Sequence, residues 1–333
     1  MVKVGIIGAG FMGKTHADGY KLLNNAKVEG IADVNAQAGN EFAKEYSCKY
    51  YQDAEDLIKR EDIDIIDICL PTFLHEKYAV MAASYGKHVL LEKPFTLTME
   101  QADNILAAVK KAGVKFMVGQ VIRFWPEYMK IKEFYEDGLL GDIKMVYACR
   151  LAQHPDWGEW FFDPEKSGGG LYDLHIHDID FVRYLLGPVE SVYATGKKSP
   201  NGAWNHVMSV LNFANGSKAC VEGAYEMTEN FPFTMGFRAV GTQGTADFTL
   251  SAGFNLEDRE SAVNRLVLYR QGNTPEVINA EKKDAYANEV EYFVGCVERD
   301  EYPKIITPED SRDVLGIVLA IKESLEEGRI VKL

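Results

Sequence analysis

Two hydrophobic periods alternate along the first third of the chain. Short apolar runs, typical of buried parallel strands, lie at residues 2–7, 27–32, 63–70, 87–91 and 114–119, with a shorter one near Tyr50. Helical spacing of apolar residues appears between them, at residues 11–23, 36–45, 54–59, 75–85 and 98–112. Thr98 and Gln101 have the spacing of a capping box for the last of these helices. The alternation predicts an α/β domain with a parallel sheet and helices on both faces.

The pattern changes beyond Arg123. Strand-like segments lie at residues 143–151, 189–195, 207–213, 217–225, 234–240, 245–250 and 266–269. Asn215-Gly216 between two of them predicts a hairpin. Helices are predicted at residues 127–135, 171–186 and 286–299, and a last one has Thr307 as N-cap and Pro308 at its first position. We therefore expect domains at residues 1–122 and 123–333, the second being α+β with a mostly antiparallel sheet.

Composition narrows the class of protein. The 333 residues are 47% apolar and 26% charged, and the net charge is −14. A charge of this sign argues against nucleic acid and against anionic membrane surfaces as partners. Five widely spaced cysteines without a CxxC pair indicate reduced thiols, and no apolar segment reaches the ~18 residues of a membrane span. We expect a cytoplasmic protein.

The first candidate site is the glycine turn after the first strand. Gly8, Gly10 and Gly13 have the GxGxxG spacing. A helix is predicted to begin at Phe11, so that Phe11 and Met12 lie in its first turn. The glycines permit a tight turn, backbone approach to a pyrophosphate and close packing of strand and helix. The exposed amides of the new helix then bind phosphate. A purely structural turn is the alternative.

Asp33 ends the second strand, 20 positions after Gly13. A carboxylate there accepts hydrogen bonds from the adenosine ribose hydroxyls and repels the extra phosphate of NADP. At 4–5 Å and an effective dielectric of 20, each unit of like charge costs about 3–4 kcal/mol. No arginine follows closely, so we expect NAD as the cofactor. A solvated aspartate at a strand end is the alternative.

Other polar residues follow the predicted parallel strands. In such sheets ligands bind beyond the carboxyl ends of the strands, and these ends carry the segments Leu70-Pro71-Thr72, Glu92-Lys93-Pro94 and Gly119-Gln120. A lysine at Lys93 can hydrogen-bond a substrate hydroxyl and stabilise a forming alkoxide. A surface charge is the alternative.

A third group of candidate residues follows the glycine run at residues 168–170. On one helix, Asp173, His177, Asp180 and Tyr184 share a face. A carboxylate one turn before a histidine orients the imidazole as a general base, so Asp173 and His177 are candidate catalytic residues. His175 and Asp178 point elsewhere and are expected to be structural. A metal site or a solvated polar face are the alternatives, and we expect no metal.

Taken together, these motifs resemble the Gfo/Idh/MocA oxidoreductases, which include glucose-fructose oxidoreductase and inositol 2-dehydrogenase. The resemblance covers nearly the whole chain. It implies an N-terminal Rossmann dinucleotide-binding domain followed by a domain with a large open sheet, which often forms the interface of a homo-oligomer. It also implies that Lys93 and His177 lie at the reacting carbinol and that Asp173 supports His177. His175 is a departure, since many members have glycine there.

The resemblance also implies roles for further positions. Pro71 and His75 match the segment that lines the nicotinamide ribose, whereas Gln120 and Arg123 match the entrance to the substrate cleft. His154 and Tyr286 match positions that often contact substrate.

We therefore expect an NAD-dependent dehydrogenase that acts on a sugar, sugar derivative or polyol, assembled as a homodimer or homotetramer. The run from His154 to Trp160 would form an aromatic wall against the sugar, or else a packed surface loop. A glycosidase that recycles its hydride and a non-catalytic NAD-binding regulator are the alternative functions.

Overall fold

The computed structural model describes residues 1–155, 158–253 and 263–333. Its strands, numbered in chain order, are β1 Val2–Ile7, β2 Ala26–Ala32, β3 Lys49–Tyr51, β4 Ile65–Ile68, β5 His88–Glu92, β6 Phe116–Gly119, β7 Ile143–Leu151, β8 Val189–Lys198, β9 Trp204–Phe213, β10 Lys218–Ala224, β11 Phe233–Gly241, β12 Gly244–Ala252, β13 Val263–Arg270, β14 Glu276–Ile278 and β15 Val331–Lys332. The predicted strands are all present, and β14 and β15 are additional short ones.

The helices, also numbered in chain order, are α1 Phe11–Lys21, α2 Ala36–Glu45, α3 Ala54–Ile58, α4 His75–Ser84, α5 Met99–Ala112, α6 Pro126–Glu136, α7 Pro164–Ser167, α8 Ile176–Leu186, α9 Ala285–Glu298 and α10 Pro308–Glu327. The capping box of α5 is confirmed, with Thr98 and Gln101 bonded to each other's backbone. Thr307 caps α10 by accepting the Asp310 N–H at 3.0 Å. The predicted helix over residues 171–186 differs in its first turn, where Leu171–His175 is π-helical.

Two compact units make up the chain. The first comprises Met1–Trp125 with Lys283–Arg312, and the second Pro126–Lys282 with Asp313–Leu333. The predicted boundary at residue 122 is therefore close, but the assignment of everything after it to the second domain is wrong. The reason is that α9 packs on α1 at a close approach, where a Cβ on Gly19 would lie 2.9 Å from Val290. Phe293 joins the core of this first unit.

The first unit has a six-stranded sheet in the order β3-β2-β1-β4-β5-β6. Every neighbouring pair in it is parallel, as predicted. The strand order reverses between β2-β1 and β4, which makes the carboxyl ends of β1 and β4 the switch point where such folds bind ligands. Gly8, Leu70, Lys93 and Gln120 follow the strands at this edge.

The second unit has a nine-stranded sheet in the order β14-β13-β12-β11-β7-β10-β9-β8-β15. Among its described strands, β7 and β10 form the parallel pair, and the other neighbours are antiparallel, as predicted. Asn215 and Gly216 form the expected β9–β10 turn, with Gly216 at φ +85°. Tyr128, Phe181, Phe237 and Phe248 pack edge to face within the core.

The other face of this second sheet is partly apolar and exposed. Alternate side chains on β7 and β9 are open to solvent, namely those of Met145, Tyr147, Met208 and Val210. Their neighbours Val146 and Leu211 are buried, in keeping with the two-residue period of a strand. No described helix of the chain has both the length and the apolar character needed to cross a membrane.

Candidate functional site

The glycine turn between β1 and α1 has the shape that binds a pyrophosphate. Gly8 has φ +107°, and a Cβ on Gly13 would lie 1.9 Å from the Gly8 carbonyl oxygen, so neither position accepts a side chain. A Cβ on Gly10 would meet nothing within 4 Å, which leaves room for a ligand beside the backbone. No side chain caps α1, and its first turn contains no acidic residue. The amides of Phe11 and Met12 are therefore available to an anion.

Asp33 is fixed against this turn. Its Oδ2 accepts the Ala9 N–H at 2.8 Å, and its Oδ1 accepts the Asn35 N–H at 2.7 Å. The Gly8 N–H donates to the Ala32 carbonyl at 2.8 Å. Each carboxylate oxygen keeps a second lone pair, which suits ribose hydroxyls as donors. The residues of this corner thus fit the adenosine and pyrophosphate parts of a dinucleotide.

His75 connects the segment after β4 to the segment after β5. Its Nε2 lies 2.8 Å from the Leu70 carbonyl oxygen and its Nδ1 lies 2.9 Å from that of Pro94. The ring is fully buried, and this burial lowers the pKa of His75 despite the neighbouring carbonyls. Pro71 and Thr72 lie in the segment that His75 holds. His75 therefore supports the chain on either side of it rather than presenting its ring to solvent.

Lys93 follows β5 directly and is half-buried. Its backbone N–H donates to Oε2 of Glu92 at 3.0 Å, so the glutamate side chain folds back onto the peptide bond between Glu92 and Lys93. Oε1 of Glu92 lies 3.0 Å from His16 Nε2, in an ion pair without hydrogen-bond alignment. Glu92 itself is only 4% exposed. The glutamate that precedes the predicted catalytic lysine is therefore part of a buried charge network.

Four buried titratable residues form that network, which we call the buried polar cluster: His16, Asp67, Glu92 and Glu289. His16 Nδ1 lies 2.9 Å from Asp67 Oδ2, and Tyr20 donates its hydroxyl to the same oxygen at 2.9 Å. The sequence interpretation assigned no role to His16, Asp67 or Glu289. An acid inside the apolar run of β4 was the available signal, because a buried carboxylate needs a partner.

Two more predicted residues border this cluster. The Tyr286 ring lies 6.2 Å from the His16 ring, and burial, with Glu92 and Glu289 nearby, raises the pKa of Tyr286. Gln120 is 1% exposed, and neither atom of its amide has a hydrogen-bond partner among the described residues. Such a buried amide costs free energy unless a ligand or water satisfies it. This makes Gln120 a fitting contact for a bound molecule.

Arg123 lies in a different setting from the predicted one. Its guanidinium donates to the Ile305 carbonyl at 2.5 Å and lies 3.3 Å from Asp310 Oδ2. The side chain has no exposed surface. These contacts tie the 3₁₀ turn Val121–Phe124 to the segment before α10, a structural role.

The second unit carries Asp173 and His177. Asp173 lies in the π-helical turn and is 6% exposed, whereas His177 lies in α8 and is half-buried. Tyr225, beyond the end of β10, donates its hydroxyl to Asp173 Oδ2. π-Helical turns are rare and occur often at functional sites. Tyr225 is a partner that sequence reasoning missed, since nothing in the local pattern links residues so far apart.

His154 and Trp160 belong to an aromatic cluster around Tyr225. The His154 ring stacks on Phe162 with centroids 4.7 Å apart, and it lies 6.1 Å from the Tyr225 ring. Trp160 packs on the small core that contains Tyr225. Asp156 and Trp157 of the predicted wall lie outside the described residues. The second unit thus brings His154, Trp160 and Asp173 into one neighbourhood through Tyr225.

His175 and Asp178 point away from that neighbourhood, as predicted. His175 is buried with Nε2 2.8 Å from Ser209 Oγ, and a Cβ on Gly223 would lie 2.7 Å from its Nδ1. Burial lowers the pKa of His175 to about 3. Asp178 forms a buried two-point ion pair with Arg150 at 3.0 and 3.2 Å. Both residues are structural.

Family models match most of the chain. An oxidoreductase family with an NAD-binding Rossmann fold matches residues 2–120, and the GFO/IDH/MocA C-terminal domain matches residues 128–247. An uncharacterised oxidoreductase of Bacillus subtilis is 32% identical over 74% of this chain and 73% of its own length. Myo-inositol 2-dehydrogenase of Thermotoga maritima is 28% identical over 100% of this chain and 98% of its own.

One solved structure covers nearly the whole chain. Levoglucosan dehydrogenase in complex with NADH and levoglucosan superposes with a TM-score of 0.85 and 26% identity, over 99% of both chains. The chain therefore belongs to the Gfo/Idh/MocA family of oxidoreductases, and residues 2–120 form the NAD-binding Rossmann domain of that family.

Proposed function

We propose that the protein is an NAD-dependent dehydrogenase that oxidises a hydroxyl group of a sugar, sugar derivative or polyol. One observation carries the proposal: Lys93 leaves the carboxyl end of β5, at the same sheet edge as the glycine turn after β1. With β4 between them, the two strands lie roughly 10 Å apart, a spacing that suits the two ends of a dinucleotide. The relatives named for myo-inositol and levoglucosan support the substrate class.

The cofactor contacts come from the first unit. Gly8, Gly10, Phe11, Met12 and Gly13 would hold the pyrophosphate, and Asp33 the adenosine ribose. The nicotinamide half would lie along Leu70, Pro71, Thr72, His75, Glu92, Lys93 and Gln120, with His75 acting through the chain it holds. When bound, NAD supplies the hydride acceptor.

Three side chains would carry out the proton transfer and the charge stabilisation of the reaction. His177 accepts the proton of the substrate hydroxyl as a general base, and the Lys93 ammonium stabilises the developing alkoxide. Asp173 orients the imidazole of His177 and stabilises its charged form. Tyr225, through its bond to Asp173, fixes that carboxylate. His154, Trp160 and Tyr286 would contact the sugar, whereas Arg123, enclosed beside Asp310, would support the cleft indirectly.

The test is a panel of sugars, anhydrosugars and inositols with NAD or NADP, followed by absorbance at 340 nm. We expect NADH formation with at least one compound and a clear preference for NAD. The variants Lys93→Ala and His177→Ala should each lower kcat by about 100-fold or more. The controls are Lys166→Ala, at an exposed residue, and His206→Ala, at a partly exposed one, and both should retain activity. NAD binding without turnover of any compound would refute the dehydrogenase assignment, and product release without net NADH would favour a recycled hydride.

Location and assembly are part of the proposal. Each of the five cysteines is a free thiol in the structure, which supports a cytoplasmic protein. The exposed apolar side chains of β7 and β9 suit contact with a second copy of the chain, in a homodimer or homotetramer. Light scattering of Met208→Lys with Val210→Lys should then show a smaller particle than the wild type, and an unchanged mass would exclude this face.

A further inference from the structure

Both nitrogens of the buried His16 ring face carboxylates. Nδ1 lies 2.9 Å from Asp67 Oδ2, and Nε2 lies 3.0 Å from Glu92 Oε1. His16 and Asp67 are 0% exposed and Glu92 is 4% exposed. A bare ring nitrogen and a carboxylate oxygen repel each other at such distances, since both present lone pairs. A proton on each ring nitrogen removes this repulsion, so the geometry suits an imidazolium that is hydrogen-bonded to Asp67 and paired by charge with Glu92, without hydrogen-bond alignment at Nε2.

The surroundings favour the charged ring. Burial alone would lower the pKa of His16, but the Asp67 carboxylate raises it well above the usual range. Cys69 and Tyr20 also face Asp67, and burial raises the pKa of both, so they are neutral donors. A third carboxylate lies close by, because a Cβ on Gly119 would be 3.1 Å from Glu92 and 3.6 Å from Glu289. A single cation among three buried acids is strongly stabilised.

The network leads to the backbone of the lysine that the proposed reaction requires. His16 and Tyr20 lie on α1, which begins within the glycine turn at Phe11, and Asp67 lies on β4. Glu92 at the end of β5 uses one oxygen for His16 and the other for the Lys93 N–H, at 3.0 Å. A chain of direct contacts thus connects the dinucleotide-binding helix to the peptide that carries Lys93.

We propose that His16 is a positioning residue and that its ring is a buried imidazolium. His16 holds Glu92, and through Glu92 the Lys93 backbone, in a fixed position relative to the dinucleotide-binding helix α1. The kinetic part of this inference rests on the proposed dehydrogenase function, whereas the protonation state does not. His16 touches no reacting atom. It acts by fixing where Lys93 leaves the sheet.

The first experiment needs no substrate. Nitrogen-15 NMR of histidine-labelled full-length protein reports the protonation of each ring nitrogen, and the His16 signals are identified by their loss in His16→Gln. We expect two protonated nitrogens at about pH 7.5, where an exposed histidine, with a pKa of about 6.5, is mostly neutral. The signals of His206, whose partly exposed side chain pairs with Glu222 at 3.0 Å, should remain in His16→Gln and serve as the control for this assignment. A neutral His16 ring at about pH 7.5 would overturn the inference.

The second experiment separates positioning from binding. His16→Gln keeps hydrogen-bonding groups but removes the charge, and Glu92→Gln breaks the same link at its other end. Each should lower kcat by about 10- to 100-fold, the loss expected for a misplaced catalytic group. In His16→Gln, which changes none of the proposed cofactor contacts, the Kd for NAD should change by less than about threefold. The effects of the two substitutions on kcat should be non-additive in the double variant. His206→Gln is the matched control and should leave kcat unchanged.

The pH profile distinguishes this role from a merely structural one. Without the imidazolium, the mutual repulsion of Asp67, Glu92 and Glu289 raises the pKa of at least one of them. In His16→Gln, kcat should therefore fall as the pH decreases from about 8 to about 6, in addition to any wild-type change. A profile parallel to the wild type, with unchanged kcat, would refute positioning. If His16→Gln does not fold, the kinetics of Glu92→Gln still decide, and the His16 NMR signals are identified by their shift in Glu92→Gln.

A metal ion is the competing occupant of the same groups. Donor atoms of His16, Glu92 and Glu289 lie within 4.8 Å of one another. Elemental analysis of the purified protein should find no stoichiometric metal, and EDTA should leave the NMR signals of His16 unchanged. Stoichiometric zinc whose removal alters those signals would overturn the imidazolium. Absence of any oxidised sugar with a doubly protonated His16 would instead count against the proposed function alone.

Discussion

Tyr225 donates a hydrogen bond to Asp173, and both side chains are buried in the second unit. Tyr225 lies beyond the end of β10, whereas Asp173 lies in the π-helical turn before α8. A phenol that donates to a carboxylate stabilises its ionised form. The proposed partner of His177 is therefore held in one orientation by a residue from a distant part of the chain.

Replacing this phenol should weaken catalysis. A hydrogen bond to a charged group contributes about 1.5–3 kcal/mol, so Tyr225→Phe should lower kcat/KM by about 10- to 100-fold. The control is Tyr147→Phe, which removes a hydroxyl 3.4 Å from Glu222 on the exposed face of the sheet. Steady-state kinetics with the best sugar substrate provides the measurement. Equal activity of the two variants would show that the Tyr225 hydroxyl does not support Asp173 during turnover.

The buried pair of Arg150 and Asp178 should dominate the stability of the second unit. Arg150 is 3% exposed and Asp178 is 0% exposed, so removing one charge leaves the other buried without compensation. Asp178→Asn should then destabilise the protein by about 3–5 kcal/mol. Asp247→Asn is the control, because its pair with Arg238 at 2.8 Å is exposed and should contribute less than about 1 kcal/mol. Urea unfolding followed by circular dichroism would measure both, and similar losses would contradict the role of burial.

Local sequence signals predicted the elements of the fold well. The glycine turn, the capping box of Thr98 and the Asn215-Gly216 hairpin each depend on residues within a few positions of one another, so each is visible in the sequence. Nothing in the sequence indicated that residues 283–312, after the second sheet, pack with the first unit. This packing depends on α9 meeting Gly19 of α1, a contact between residues more than 260 positions apart.

Much the same holds for the candidate site. Asp33 and Lys93 could be proposed because strand ends in a parallel sheet share one edge. His16, by contrast, looks like any polar residue of an amphipathic helix until the structure places it between Asp67 and Glu92. Arg123 was proposed by resemblance alone, and its enclosure by Ile305 and Asp310 depends on the same distant return of the chain.

Cofactor preference should depend on the Asp33 carboxylate. Asp33→Ala removes its repulsion of a 2′-phosphate, so the ratio of kcat/KM for NAD to that for NADP should fall by about 100-fold. NAD affinity itself should also fall, because Oδ2 of Asp33 accepts the Ala9 N–H of the glycine turn. Glu45→Gln removes an exposed charge in the same unit and should leave the ratio unchanged. An unaltered ratio in Asp33→Ala would mean that another group selects the cofactor.

Acid stability should depend on His175. Its pKa is about 3 in the folded protein because of burial, compared with about 6.5 for an unfolded histidine. Between these values the unfolded chain binds the additional proton, so the free energy of unfolding falls as the pH decreases, by up to about 1.4 kcal/mol per pH unit. From about pH 6.5 to about pH 4.5 the loss from this one group is about 2 kcal/mol.

His175→Gln should remove this contribution while it retains a donor for Ser209. At neutral pH the variant should be less stable by about 1–3 kcal/mol, because the packing and hydrogen bonding of a buried group change. Its stability should then decline less steeply with acid than that of the wild type, so the two curves converge toward pH 4.5. Thermal unfolding across this range is the measurement, and His206→Gln, on a partly exposed strand, should run parallel to the wild type. Parallel curves for His175→Gln would show that His175 does not remain neutral in the folded protein.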